Sequence, residues 1–415
     1  MIKRIILWLI AIAIIVWAVL YWYESRTLDG PVQKVTATPQ EIERGRYLTL
    51  AGDCAACHTS ADGAPLAGGF PLDTPFGTIY SSNLTPSADF GIGRWTKDDF
   101  YKALTQGISP PSKNLYPAMP YTSYKGITRE DSDAIYSYLM SQPAIDVAPP
   151  ENSLPFPLNQ RMAMIGWNLL FFNDKPLPDS SQGSSPEWLR GKYLVNVLEH
   201  CAECHTPRGK LGEMDLDNFM KGGALGRFVA PDITPQALAE RGWTKEDLQQ
   251  FFMTGLTPQG SAYSDMHPVI YLSSQHLTPE DNSAIATYLM GDNPLATSPL
   301  RVGEGNTQGR QIYLETCSGC HSYDGSGKPN VAVAMKGNST LRDVDSTNLI
   351  NAILDGLPEQ AFPNNQYMQS MPGFANKLND QQISDLVNFL RVQWGGQPAM
   401  SPRSMLNPYV NNDKK

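Results

Sequence analysis

A five-residue pattern of two cysteines and a histidine occurs three times in this chain of 415 residues. The copies are CAACH at Cys54–His58, CAECH at Cys201–His205 and CSGCH at Cys317–His321, and together they contain all six cysteines. Thiols and imidazoles are metal ligands and nucleophiles. The chemistry of the chain must therefore explain why its cysteines occur in this pattern alone.

Three common uses of paired cysteines do not fit the pattern. A thioredoxin-like redox pair requires Cys-x-x-Cys in a βαβ setting, whereas these pairs are predicted at the ends of short helices. A tetrahedral zinc site needs four ligands, and each copy offers two thiols and one adjacent imidazole. Structural disulfides, which are common in exported proteins, would have to join members of the same pattern.

Covalent attachment of a c-type haem accounts for the whole pattern, since Cys-x-x-Cys-His is its signature. Thiols at positions i and i+3 of a helix point the same way, as the two vinyl groups of one porphyrin require. We therefore predict three covalently bound haem c groups. The thioether residues would be Cys54, Cys57, Cys201, Cys204, Cys317 and Cys320, and the proximal iron ligands would be His58, His205 and His321.

A methionine follows each motif at a similar distance and is predicted to be the sixth iron ligand, as in cytochromes c. Met119 and Met266 each lie 62 residues after the second cysteine of their motif, and Met371 lies 51 residues after its own. Proline follows each of them within two residues. Two rivals remain open, because His267 adjoins Met266 and Met368 lies close to Met371.

Helices that must position these ligands recur with the motifs. Each copy begins with GRYL, GKYL or GRQIYL, and each ends with an amphipathic helix that carries the i, i+4 apolar spacing. We expect the first and last helices of each copy to cross closely at Gly45, Gly191 and Gly309. Thr128 with Asp131, and Thr278 with Asp281, have the spacing of a helix-start box.

The N-terminal segment is the clearest targeting signal. Ile5–Tyr23 is a run of 19 residues without a charge, preceded by Lys3 and Arg4. At about 1.5 Å per residue this run is close to the hydrocarbon thickness of a bilayer. Because positive charge stays on the cytoplasmic side, the chain after Tyr23 is predicted to be periplasmic. A cleaved signal peptide is the competing interpretation, although it would have a shorter apolar core.

The whole chain resembles the triple-haem cytochrome c subunits of membrane-bound bacterial periplasmic dehydrogenases, which oxidise alcohols, aldehydes, gluconate and related sugars or polyols. The resemblance covers nearly everything after residue 36 and depends on GRYL…GDCAACHT, SSNLTP…GIGRWTKDDF, YPAMPY, CAECHTPRG, RGWTKEDL, CSGCH and MPGF. It implies that electrons pass from a catalytic partner through the haems to membrane ubiquinone or an oxidase. Several relatives have a cleaved signal, and the span predicted here slightly favours an aldehyde-oxidising molybdenum complex.

The predicted fold is all-α, with three tandem class I cytochrome c-like domains after an N-terminal transmembrane helix. The expected limits are 1–24 for the anchor, 36–147, 185–293 and 304–398 for the domains, 148–184 for a linker and 399–415 for a polar tail. The protein would be a single-pass protein of the inner membrane. Its partners would be a catalytic dehydrogenase subunit (quinoprotein, flavoprotein or molybdenum enzyme) and ubiquinone or a terminal oxidase. A net charge of −9 does not suggest a nucleic-acid partner.

Two other functions compete with an electron-transfer subunit that has no substrate site of its own. One is a cytochrome that feeds a terminal oxidase, and the other is a peroxidase-like enzyme with one open haem, which the three methionines disfavour. The short distance from the anchor to the first domain predicts that electrons enter at the third haem and leave near the membrane.

Several further residues remain open between structural and functional interpretations. An indole N–H or a guanidinium could bind a haem propionate or simply pack at a helix start, and the candidates are Trp95, Trp243, Arg94 and Arg241. The apolar segment NQRMAMIGWNLLFFN from Asn159 is either a packing helix or a docking surface. His200 and His276 are interpreted as ordinary structural histidines.

Overall fold

The computed structural model describes residues 1–26 and 28–401, which form two compact units. One unit comprises Met1–Leu177 with Asn196–His200, and the other comprises Pro178–Val195 with the chain from Cys201 onward. Both are mainly helical, with six two-stranded antiparallel sheets across the described residues. The all-α expectation is thus correct only in part, because glycine- and proline-rich loops between the helices fold back as short hairpins.

The first unit contains the N-terminal helix, the first motif and the segment that follows the first repeat. Its helices are α1 (Ile2–Glu24), α2 (Pro39–Ala51), α3 (Cys54–His58), α4 (Lys97–Gln106), α5 (Tyr121–Tyr124), α6 (Arg129–Met140) and α7 (Ala163–Phe171). Its strands pair as two hairpins, β1 (Pro71–Thr74) with β2 (Gly77–Tyr80) and β3 (Ile108–Ser109) with β4 (Lys113–Asn114).

The second unit contains the other two repeats, apart from Asn196–His200, which belong to the first unit. The helices of the second repeat are α8 (Pro186–Tyr193), α9 (Ala202–His205), α10 (Pro235–Glu240), α11 (Lys245–Thr254), α12 (Met266–Pro268) and α13 (Pro279–Met290), with π-helical turns at Leu194–Leu198 and Val269–Ser273 and 3₁₀ turns at Leu216–Asn218 and Ser274–His276. Its hairpins are β5 (Lys221–Leu225) with β6 (Phe228–Asp232) and β7 (Leu256–Thr257) with β8 (Gly260–Ser261).

The third repeat has the same outline, with an opening helix, a motif helix and a closing helix. Its helices are α14 (Thr307–Thr316), α15 (Ser318–His321), α16 (Ser339–Arg342), α17 (Thr347–Asp355) and α18 (Asp380–Leu390), followed by a π-helical turn at Arg391–Gly395. Its strands are β9 (Gly356–Leu357), β10 (Gln360–Phe362), β11 (Gln366–Met368) and β12 (Met371–Pro372), and they pair as β10 with β11 and β9 with β12.

The predicted helix crossing is confirmed in all three repeats. A Cβ atom added to Gly45 would lie 2.0 Å from a carbonyl oxygen of α6, and one on Gly191 would lie 1.9 Å from a carbonyl oxygen of α13. At Gly309 the corresponding distance to a carbonyl oxygen of α18 is 2.1 Å. No side chain fits at these separations, so glycine allows α2 to contact α6, α8 to contact α13, and α14 to contact α18.

The closing helices begin where the sequence predicts. The Thr128 hydroxyl accepts a hydrogen bond from the N–H of Asp131 at 3.1 Å, and the Thr278 hydroxyl accepts one from the N–H of Asp281 at 3.2 Å. The third copy begins at Asn379, which forms a reciprocal capping box with its N3 residue. These side chains satisfy backbone donors that a helix start leaves unpaired.

The N-terminal helix α1 is the one helix within residues 1–26 and 28–401 that is long and apolar enough to cross a membrane.

The segment predicted as a linker contains α7, whose Met164 and Trp167 pack against Tyr116 and Tyr121. Of the predicted tail, residues 402–415 lie outside the described part of the chain. Met400 still binds Asn388 through its own N–H and carbonyl, at 2.8 and 3.0 Å.

Candidate haem sites

Each Cys-x-x-Cys-His motif occupies a single helical turn that follows the first helix of its repeat. The N–H of His205 donates to the carbonyl of Cys201 at 3.0 Å, and the N–H of His321 donates to that of Cys317 at the same distance. The turn α3 holds the first copy. Such a turn brings the first cysteine and the second, three residues later, to one side of the backbone. None of the six cysteines is joined to another in a disulfide.

The three motif histidines share one hydrogen bond that fixes their tautomer. Nδ1 lies 2.6 Å from the Ser82 carbonyl oxygen in His58, 2.7 Å from that of Pro231 in His205, and 2.9 Å from a carbonyl oxygen of the loop after α15 in His321. A carbonyl only accepts, so Nδ1 carries the proton in each ring. The lone pair is then on Nε2, which is the arrangement an imidazole needs to bind iron.

Burial keeps these rings neutral as well as oriented. It lowers the pKa of His58, and it lowers the pKa of His205 to about 4. The pKa of His321 is lowered for the same reason. Because a protonated imidazole has no lone pair for a metal, the shift favours the ligating form at neutral pH. The donor set of each motif therefore fits a haem iron.

The thiols of the first motif lie in an environment unsuited to redox catalysis. Burial and the neighbouring Asp53 carboxylate raise the pKa of Cys54 to about 12 and that of Cys57 to about 11. Burial also raises the pKa of Cys317. Reactive cysteines have lowered pKa values, so this environment disfavours a thioredoxin-like pair. Each motif supplies two thiols and one imidazole, whereas a tetrahedral zinc site needs four ligands.

Two of the three candidate methionines pack against the core of their repeat. Met119 contacts the cluster that includes Tyr116 and Tyr121, and Met371 contacts the core of the third repeat, as does Cys317. Met266 is half-buried and opens α12. The structure thus brings Met371 and Cys317 to one core.

The two rivals are engaged elsewhere. Nε2 of His267 lies 2.8 Å from the Ala361 carbonyl oxygen and so donates to it, and the ring also meets Phe362 edge-on with centroids 5.2 Å apart. Met368 lies in β11, paired with Gln360, and Met371 lies in β12, paired with Leu357, so backbone pairing does not distinguish these two methionines. The choice of Met266 and Met371 as iron ligands stays a prediction.

Two of the residues considered for propionate binding, Trp243 and Arg241, have protein partners. The Trp243 indole N–H donates to the Ser339 hydroxyl at 2.9 Å, and the Arg241 guanidinium binds Asp343 at 2.7 Å and the Asp232 carbonyl. The Nε of Arg241 is nevertheless buried and has no hydrogen-bond partner among the described residues. A buried cation beside His205, with one donor unused, fits the carboxylate of a haem side chain.

Motif reasoning missed Asp53, the residue before the first cysteine. Its side chain is buried, and its Oδ1 has no hydrogen-bond partner in the described part of the chain. Burial raises its pKa well above the ordinary value. Both Asp53 and His200, which precede the first and second motifs, have left-handed backbone (φ 49° and 39°). The sequence offers one signal for both residues, which is that each immediately precedes the first cysteine of a motif.

Comparison with known proteins agrees with this chemistry. The sequence model of the cytochrome c family matches residues 42–143 and 307–394. The chain is 36% identical over 381 residues to the gluconate 2-dehydrogenase cytochrome c subunit of Pantoea cypripedii, covering 85% of this chain and 86% of the relative. It is 35% identical over 382 residues to the alcohol dehydrogenase (quinone) cytochrome c subunit of Gluconacetobacter polyoxogenes, covering 86% and 81%. The chain belongs to this family of cytochrome c subunits.

Membership implies covalently bound haem c and a role in electron transfer rather than in substrate oxidation. A further relative is a component of the nicotinate dehydrogenase of Pseudomonas putida, 37% identical over 385 residues. That match covers 88% of this chain but only 32% of the relative, so the chain spans about a third of that protein's length.

Proposed function

We propose that this cytochrome binds three haem c groups, one in each of three domains at 36–147, 185–293 and 304–398. The thioethers would form at the six cysteines of the motifs. The axial pairs would be His58 with Met119, His205 with Met266, and His321 with Met371. The observation that carries this proposal is the same Nδ1–carbonyl bond beside a thiol pair in all three motifs.

The bound haems supply reversible one-electron transfer. The protein would be the electron-transfer subunit of a periplasmic dehydrogenase complex, anchored in the inner membrane by α1. It would pass electrons to ubiquinone from a catalytic partner that oxidises alcohols or aldehydes. The similarity to cytochrome c subunits of gluconate and alcohol dehydrogenases supports a dehydrogenase partner.

Intact mass of the mature protein tests the haem count. We expect the polypeptide mass plus three haems, and a pyridine haemochrome assay should give three haems per chain. Native material that carries one or two haems would contradict the proposal. Purification from the native membrane tests the role, because a co-purified dehydrogenase supports it and a co-purified terminal oxidase favours the rival function.

The direction of electron flow is a further part of the proposal, with entry at the third haem and exit near the membrane. The contacts of the anchor support it, since the Ser112 hydroxyl donates to the Tyr23 hydroxyl at 3.0 Å and the N–H of Gln33 donates to the Gly93 carbonyl at 2.8 Å. Replacing Met371 with a weak ligand should slow reduction of all three haems by substrate. Normal reduction of the first two haems in that variant would rule out the order.

A further inference from the structure

Helix α7 has an apolar surface that its own unit does not cover. Met164 and Trp167 are buried on one side of the helix. Leu169 and Leu170, in the last turn of the helix, have exposed fractions of 82% and 72%, and Phe156, in the turn before the helix, is 75% exposed. We call Phe156, Leu169 and Leu170 the α7 apolar face. Exposed apolar residues grouped in this way commonly mark an interaction site.

The composition of α7 is unusual for a helix that faces water. In AMIGWNLLF the one polar side chain is Asn168, and its Oδ1 accepts a hydrogen bond from the Tyr121 hydroxyl at 2.7 Å. The Asn168 amide therefore binds the core of its own unit, and the helix has no other polar side chain that could face water. A helix exposed to water normally has charged or polar residues there.

Contacts place the start of α7 near the end of α1. The Tyr23 hydroxyl, at the last turn of α1, accepts a hydrogen bond from Ser112 at 3.0 Å. Two residues further on, the Asn114 carbonyl accepts one from the Arg161 guanidinium at 3.0 Å, just before α7 begins. Two residues of extended chain and two side chains span roughly 25 Å at most. The start of α7 therefore lies within about that distance of the membrane-crossing helix, and Leu169 and Leu170 lie about 12 Å further along α7.

The charges around α7 suit anionic lipid headgroups. Arg161 precedes the helix, and Lys125 reaches its end, where the ammonium donates to the Asn173 carbonyl at 2.8 Å. Lys175 follows, and Asp174 is the single acid between residues 156 and 177. Apolar side chains flanked by arginine and lysine are characteristic of helices that lie at a bilayer surface.

We propose that the α7 apolar face inserts into the interfacial layer of the bilayer that α1 crosses. The inference depends on the proposed anchor and goes beyond the proposed electron transfer. Its functional consequence concerns Met119, which packs against the same cluster as the buried side of α7. The first haem site would then be held close to the lipid in which a quinone is dissolved.

Photolabelling of the full haem-loaded chain in phosphatidylethanolamine–phosphatidylglycerol vesicles tests this inference. A small fraction of the lipid carries a diazirine on its acyl chain, and labelled residues are identified by peptide mass spectrometry. We expect labels on α1 and on Phe156, Leu169 and Leu170. Val344, equally exposed at 74% in the second unit, is the internal control and should remain unlabelled.

The double variant Leu169→Gln/Leu170→Gln should reduce labelling at Phe156 at least fivefold and leave α1 labelling and the haem spectrum unchanged. The matched control, Val344→Gln, should change neither. Labelled α1 with an unlabelled α7 would overturn the inference alone, whereas an unlabelled α1 would overturn the anchor as well. Dimers in detergent that the double variant abolishes, together with an unlabelled α7, would assign the surface to a second copy instead.

Discussion

The first and second repeats carry arginine and tryptophan at equivalent places but use them differently. In the second repeat Arg241 is 4% exposed and binds Asp343 of the third repeat. In the first repeat Arg94 is only half-buried, and its partners are the Gly30 carbonyl, in the segment after the anchor, and Asp89 at 3.5 Å. One repeated sequence feature therefore connects each repeat to a different neighbour.

The tryptophans differ in the same way. Trp243 is buried and its indole N–H binds the third repeat through Ser339. Trp95 is half-buried, and its carbonyl accepts a hydrogen bond from Tyr136 of its own repeat at 2.6 Å. Tryptophans at equivalent places in two repeats can thus form hydrogen bonds to different parts of the chain. The energetic consequence depends on burial, because a buried charge that loses its partner is costly and an exposed one is not.

The largest difference is expected between Arg241→Leu and Arg94→Leu. Loss of Arg241 leaves Asp343 without its cation at a site where its side chain is 19% exposed, so we expect the free energy of unfolding of the second unit to fall by about 3–5 kcal/mol. The Arg94 change should cost about 1 kcal/mol or less. Urea unfolding followed by hydrogen exchange of α13 and α4 measures the two units separately.

A double variant checks the cause of the Arg241 effect. Arg241→Leu with Asp343→Leu removes both charges of the pair and should recover part of the lost stability, since the Asp343 carboxylate is no longer left without Arg241. Asp345 still faces the buried Arg391 in that variant. Equal costs for the Arg94 and Arg241 variants would show that burial does not separate the two repeats.

Gly191→Ala tests the close helix crossing that the three repeats have in common. A Cβ there would overlap the Ala284 carbonyl, so the crossing of α8 and α13 must open, and we expect a loss of about 2–3 kcal/mol. Gly166 is the matched control, because nothing lies within 4 Å of a Cβ added to this helical residue. Gly166→Ala should stabilise α7 by about 0.5–1 kcal/mol. A loss at Gly166 as large as that at Gly191 would argue against the crossing as the cause.

The sequence was sufficient for features that depend on local chemistry. The cap residues Thr128 and Thr278 and the crossing glycines could be predicted because helix starts and backbone contacts impose strict requirements on residue type. The hydrogen bonds that orient the motif histidines could not be predicted, since their carbonyl partners lie 12 to 26 residues away along the chain. The partner of Arg241 lies 102 residues away along the chain. The sequence RGWT around Arg241 gives no sign that its partner differs from that of Arg94 in GRWT.

The short hairpins were also missed, for a related reason. Strands of two to five residues, such as β3 and β9, have no alternating pattern long enough to recognise. Loop glycines and hydrogen bonds to neighbouring loops determine them. The apolar segment from Asn159 was recognised, but its division into a buried and an exposed side required the structure.

His267 offers a smaller test of the connection between the second and third repeats. The first repeat has Pro120 at the place that follows its methionine and so has no equivalent donor. His267→Leu should remove the bond to Ala361 and cost about 1–1.5 kcal/mol in the second unit. His267→Gln keeps an N–H donor and should cost less. Visible spectra should be unchanged in both variants, and loss of the native ligation spectrum would identify His267 rather than Met266 as the iron ligand.

The smallest expected effect concerns an acid that the first two repeats share and the third lacks. Four residues before the crossing glycine stand Glu41 and Glu187, whereas the third repeat has Gly305. A serine hydroxyl and a lysine lower the pKa of both carboxyls, and for Glu187 these are Ser283 at 2.6 Å and Lys245 at 3.0 Å.

A lowered pKa means that the folded protein holds fewer protons, so this stabilisation is complete above the ordinary glutamate value of 4.5 and is lost as pH falls below it. The carboxyl is partly exposed and screened by solvent, so we expect Glu187→Gln to cost only about 0.2–1 kcal/mol at pH 7. The difference from wild type should shrink as pH falls below 4.5, and Ser283→Ala should reproduce part of it. Glu359→Gln, on an exposed loop of the third repeat, is the control. A cost that does not shrink with falling pH would show that Glu187 acts through packing rather than through its charge.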